Sequence, residues 1–133
     1  MRIMLDANII ISAILFPNSI ISEVIKHIVA NNEIILSQYT INEVIKVFHR
    51  KFPHRIDEME LFLEKLPHTV FPIQKIENTN YPNIRDINDV PVLVYAVKSK
   101  VDMLITGDKD FDDVEIKKVK ILKPNQYKDK YMK

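Results

Sequence analysis

A chain of 133 residues, 47% apolar and 28% charged, has the composition of one ordinary globular domain able to bury a core. It has no cysteine, which excludes disulfides, thiolate metal sites and cysteine nucleophiles and fits a reducing compartment. Its single glycine, Gly107, excludes a Walker phosphate loop and a dinucleotide-binding glycine fingerprint, and a net charge of +1 supplies no field for gathering nucleic acid.

The first element is Arg2-Ile3-Met4-Leu5, an apolar run that stops at Asp6, with Asn8 two residues further on. Such a run reads as a strand buried on both faces, and ligands of open α/β sheets bind beyond the carboxyl ends of such strands. Residues 9–16, ending at Pro17-Asn18, read as a short crossover helix. Ser19 then caps a helix carrying Ile21, Val24, Ile25, Ile28 and Val29, which ends at Asn31-Asn32 before a second buried strand at 34–36. Thr40 is the expected cap of the next helix, with Glu43 at the capping-box position and Ile41, Val44, Ile45 and Phe48 facing inward. Pro53 ends it, and an amphipathic helix with Ile56, Met59, Phe62, Leu63 and Leu66 follows, stopped by Pro67. Residues 69–71 form a brief strand, and 74–88 a loop long enough to suggest a function. Asp89-Val90-Pro91 opens another helix, with Leu93, Val94 and Val97 in register. The strand 103–105 runs into Thr106-Gly107-Asp108, a last strand is expected at 119–122, and lysines and tyrosines fill a C-terminal tail. Strands alternating with helices predict a parallel sheet covered on both sides in one α/β domain spanning residues 1–133.

Two strand ends thus carry acids, Asp6 and Asp108, while Glu43 and Asp89 lie near the starts of helices. Four carboxylates from distant segments can meet on one rim of the sheet. Like charges that close repel strongly, so protons or cations must relieve them. Magnesium suits the second solution, because it prefers hard oxygen ligands and substrate phosphates. Metal-assisted hydrolysis of a phosphodiester is the chemistry that follows. Asn8 and Thr106 could orient a carboxylate or a water by hydrogen bonding. Singly, each acid has an ordinary reading: Asp89 beside a helix N-terminus, Glu43 in a capping box, Asp108 in a turn.

The motifs Leu5-Asp6-Ala7-Asn8, Asn42-Glu43, Asp86-Ile87-Asn88-Asp89-Val90-Pro91-Val92-Leu93 and Ile105-Thr106-Gly107-Asp108-Lys109-Asp110-Phe111 occur in one order along the chain. That order resembles the PIN-domain family, most of all the toxin-type ribonucleases of prokaryotic toxin–antitoxin pairs. The resemblance runs on to Ile121-Leu122-Lys123-Pro124. It implies a three-layer α/β/α sandwich around a short, mostly parallel sheet. It also implies an acidic quartet at Asp6, Glu43, Asp89 and Asp108 that binds Mg2+ or Mn2+ for endoribonuclease action, leaving 5′-phosphate and 3′-hydroxyl ends. Asn8 and Thr106 match supporting polar positions, and Asp86 a recurrent acid just before the third member. The fourth acid is the family's least constant, and Asp110 competes with Asp108 for it.

The resemblance further implies an RNA substrate, a cognate antitoxin protein and a homodimer. The alternative function is a catalytically inactive PIN-like module that binds RNA or protein. A phospho-acceptor receiver domain fits less well, because Asp6 stands alone after the first strand and residues 69–71 lead into Pro72. The cluster from His49 to Arg55 reads as a solvated turn between helices, with Phe52 and the basic residues offering RNA contact as the other reading. Lys117, Lys118, Lys120, Lys123, Lys128 and Lys130 are explained equally by solubility, by a protected edge strand and by RNA. With no run near the roughly 20 apolar residues of a membrane span and no signal-peptide layout, a cytoplasmic protein without a membrane partner is expected.

Overall fold

The first strand, β1 (Arg2–Leu5), is the middle of the molecule: β2 (Glu33–Ser37) pairs with it on one side and β4 (Met103–Ile105) on the other. The edges are β3 (Thr69–Phe71) and β5 (Lys120–Leu122), giving the order β3-β2-β1-β4-β5 with every pairing parallel. The structure, a computed structural model, describes residues 1–74, 90–112, 114–116 and 118–132. The loop expected at 74–88, apart from Gln74, lies outside these residues, and so do Asp86, Asp89 and Lys117.

The two-residue period of a strand sends alternate side chains to opposite faces. Ile3 and Leu5 join Ile34, Leu36, Met103 and Ile105 in one core, while Met4, Ile35 and Leu104 join a second. The first core is covered by α1 (Ala7–Leu15), α2 (Ile20–Asn31), α3 (Gln38–Lys51), α4 (Ile56–Lys65) and α6 (Pro124–Tyr131). The second is covered by α5 (Val90–Lys98), through Val92, Leu93, Tyr95 and Ala96, together with Phe111 and Val114. This is the expected three-layer sandwich, with Ile3, Met4 and Leu5 of β1 fully buried on its two faces. No single helix among the described residues is long and apolar enough to cross a membrane.

Several local expectations are corrected. The cap of α3 is Ser37, whose hydroxyl accepts the Thr40 amide at 3.0 Å, and the helix begins at Gln38. Thr40 therefore lies in the first turn, its own hydroxyl held by Ser37 at 3.0 Å, and Glu43 closes no capping box with it. Helix α1 starts at Ala7, not two residues later, because Asp6 itself is the cap. The C-terminal tail is a helix, α6, seated on α2: Tyr127 is wholly buried, and its hydroxyl lies 2.8 Å from His27 Nδ1. The polar composition of that segment hid a single buried aromatic anchor. Strand β5 is shorter than the expected 119–122, Val119 making an isolated antiparallel bridge with Ile116 instead. Phe52 packs against Phe48 with ring centroids 5.4 Å apart, so it belongs to the core rather than to a stacking surface.

At the amino rim of the sheet the charges are answered. The Arg2 guanidinium meets Glu33 at 3.4 Å and the Ser99 carbonyl at 2.9 Å, and the Arg2 amide donates to Asp102 Oδ2 at 2.8 Å. The N-terminal ammonium donates to Asn32 Oδ1 at 2.9 Å.

Candidate active site

At the carboxyl rim, β1 ends and α1 begins with no intervening loop. Asp6 is at once the last extended residue and the helix cap, its Oδ1 accepting the Ala7 amide at 2.7 Å. Its other oxygen accepts the Thr106 hydroxyl at 2.7 Å, across the β1–β4 pairing. The same hydroxyl accepts the Asp108 amide at 3.1 Å, so one threonine fixes both the first carboxylate and the turn that carries Asp108. Asn8 Oδ1 accepts the Gly107 amide at 3.3 Å, a second tie between the two strand ends.

These elements enclose a cleft of about 490 Å³. Asp6, Asn8, Glu43 and Asp108 line it, with Tyr39, Thr40 and Lys46 from α3 and Val92 from α5. Thr40, Glu43 and Lys46 recur every three residues, the spacing of neighbours on one helical face. Because Ser37 rather than Thr40 caps α3, Glu43 is free of the capping duty that was its ordinary explanation. Asp108 Oδ1 caps the short 3-10 turn Lys109–Phe111 by accepting the Asp110 amide at 2.9 Å. Asp110 does not line the cleft, which favours Asp108 as the acid at this strand end.

Asp6 is only 6% exposed, and burial raises its carboxyl above the usual range. The hydrogen bonds from Thr106 and Ala7 oppose that rise, while the charges of Asp108 and Glu43 add to it. No ion pair among the described residues involves Asp6, Glu43 or Asp108.

Within the described residues no three acids or histidines come together at metal-ligand spacing. The donor set nonetheless suits a hard divalent cation. Magnesium is commonly held by one or two carboxylates with several waters and a substrate phosphate, not by a closed protein cage. Asp6, with one hydrogen bond on each oxygen, keeps further lone pairs for a cation.

Of the residues singled out in the sequence, the structure thus brings Asp6, Asn8, Glu43 and Asp108 to one cleft and Thr106 directly behind Asp6. Asp86 and Asp89 lie outside the described residues. Tyr39 and Lys46 were not anticipated, although their spacing from Glu43 along one helix face was there to be read. Arg55, from the basic turn, is committed to Glu58 at 2.8 Å.

The sequence profile of the PIN domain matches residues 2–110. One chain of the crystal structure of VapBC2 from Rickettsia felis, bound to a DNA fragment from their promoter, superposes with a TM-score of 0.71 at 18% identity. The match covers 92% of this chain and 98% of that one. No curated protein matches the chain at a significant level.

Proposed function

The chain belongs to the PIN-domain family, and on that premise we propose that it is an Mg2+- or Mn2+-dependent endoribonuclease acting as the toxin of a toxin–antitoxin pair. The observation that carries the reading is the gathering of Asp6, Glu43 and Asp108 from three elements onto one cleft, with Asp6 buried and, among the described residues, no ion pair to any of the three. The VapBC2 neighbour supports a protein partner of the antitoxin kind, and a homodimer is part of the same proposal.

In this reading Asp6 would hold the cation directly, with Glu43 and Asp108 on the same cleft completing its surroundings through bound waters. Asp89, the residue before α5, is the further acid of the quartet in this reading, with Asp86 and Asp110 as its supporting residues. The cation supplies Lewis acidity at the phosphodiester and favours deprotonation of an attacking water at neutral pH. The chain's own contribution is positioning. Thr106 and the Ala7 amide fix the rotamer of Asp6, and Thr106 sets the turn bearing Asp108. Asn8 holds the two strand ends at one spacing through Gly107. Lys46, on the same face of α3 as Glu43, offers a charge to the phosphate backbone. Attack on phosphorus leaves a 5′-phosphate and a 3′-hydroxyl.

The test is cleavage of a labelled RNA of mixed structure, with and without Mg2+ or Mn2+, by wild type and by Asp6→Asn and Asp108→Asn. Metal-dependent cutting lost in both folded variants supports the proposal. RNA binding without cutting by the wild type replaces it with a binding module.

A further inference from the structure

Asn8 has a hollow on each side. One is the acidic cleft; the other is a pocket of about 360 Å³, of the size small-molecule sites occupy. Its apolar walls are Ile20, Ile21 and Pro124, and its polar groups include Ser12 and Asn125. Gly107, the chain's single glycine, lines it as well.

Nothing in the backbone requires a glycine there. No glycine has a positive φ, so Gly107 is not held in the left-handed region. A Cβ on it would stand 3.9 Å from Asn8 Oδ1 and 4.0 Å from Ile9 Cδ1, ordinary contact distances, with Asn8 and Ile9 both lining the pocket. The fold would accept a side chain at this position. What that side chain would take up is pocket space.

We propose that this pocket receives one base of the RNA strand, next to the phosphate that is cut, and sets the base preference of cleavage. The inference rests on the ribonuclease reading and adds a specificity site to it. An unstacked base needs apolar surface against its ring and polar groups at its edge. Ile20, Ile21 and Pro124 supply the first. The Asn125 amide, both donor and acceptor, and the Ser12 hydroxyl supply the second. Asn8 belongs to both hollows, so a base seated in one holds the adjoining phosphate at a set distance from the acids in the other. Taking a base out of a duplex costs its pairing and stacking, so the pocket favours single-stranded RNA.

The experiment measures kcat and KM, with Mg2+, on short single-stranded oligoribonucleotides carrying each of the four bases on either side of the cut. Wild type, Gly107→Ala and Asn125→Ala are compared, with folding checked by circular dichroism. The pocket predicts that wild type favours particular bases at one flanking position. Each variant then loses at least about fivefold in kcat/KM for the favoured base, mainly through KM, and its preference flattens. If wild type cuts but both variants keep its KM and its preference, the pocket is overturned and the nuclease reading stands. If wild type cuts no RNA with either metal, the nuclease reading falls and the base pocket falls with it.

Discussion

The two rims of one sheet treat acidic residues in opposite ways. At the amino rim, Glu33 and Asp102 are each met by Arg2, one through its guanidinium and one through its backbone amide. That ion pair is exposed, with side chains 41% and 48% accessible, and such pairs contribute at most about 1 kcal/mol. At the carboxyl rim, Asp6, Glu43 and Asp108 share a cleft, and Asp6 is buried with hydrogen bonds but, among the described residues, no ion pair. Acids are met one by one at one end and gathered into a shared cleft at the other. On the ribonuclease reading, the rim that gathers acids is the one that takes the cation.

The comparison breaks first at Asp6. On the ribonuclease reading, Asp6→Asn lowers metal-dependent RNA cleavage at least about 100-fold, since even groups that only orient metal ligands cost 10–100-fold. Asp102→Asn at the opposite rim leaves cleavage at the wild-type rate, and a parallel cleavage assay reads both. Next comes Thr106→Val, which preserves shape and removes the hydroxyl from Asp6 Oδ2. It weakens metal activation by about 10–100-fold, read as a shift in the Mg2+ concentration for half-maximal cutting.

A smaller effect lies in stability without metal. Burial raises the Asp6 carboxyl above its unfolded value, so the folded chain holds this proton more tightly than the unfolded chain does. Its contribution is complete below the unfolded carboxylate range and is lost as pH rises through the raised folded value. In EDTA, Asp6→Asn should therefore melt higher than wild type at neutral pH, with the gap closing as pH falls toward the ordinary carboxylate range. A neutral-pH melt no higher than wild type would show that the rim is electrostatically balanced after all. The smallest effect is Glu33→Gln, expected to cost under about 1 kcal/mol in urea denaturation and less in high salt.

The sheet was legible because its strands are unbroken apolar runs at 3–5, 34–36 and 103–105, and two-sided burial leaves no other pattern. That Asp6, Glu43 and Asp108 reach one rim was legible because each follows such a run or lies near the start of a predicted helix. Where reading failed, a polar group had more than one local role open to it. Thr40 offers a cap, but Ser37 three residues earlier does so too, and the strand-to-helix junction without a loop selects Ser37. Helix α6 is polar along most of its length, and its place is decided by Tyr127 entering the first core beside α2, a contact 100 residues apart in sequence. Phe52 looked available next to basic residues, yet Phe48 one turn earlier claims it. Only the Tyr127 contact is long-range; the other two are settled within one helical turn, where the sequence offers more than one local partner and does not rank them.

The hydrogen bond between Asp6 and Thr106 joins residues 100 positions apart. During synthesis at about 5–20 residues per second, Thr106 follows Asp6 by roughly 5–20 s. Until then β1 has no β4 to pair with, Asp6 has no threonine beside it, and the cleft lacks the wall that carries Asp108. On the ribonuclease reading, a nascent chain is therefore inert at its site until most of it has been translated, and an antitoxin would have that interval in which to be made.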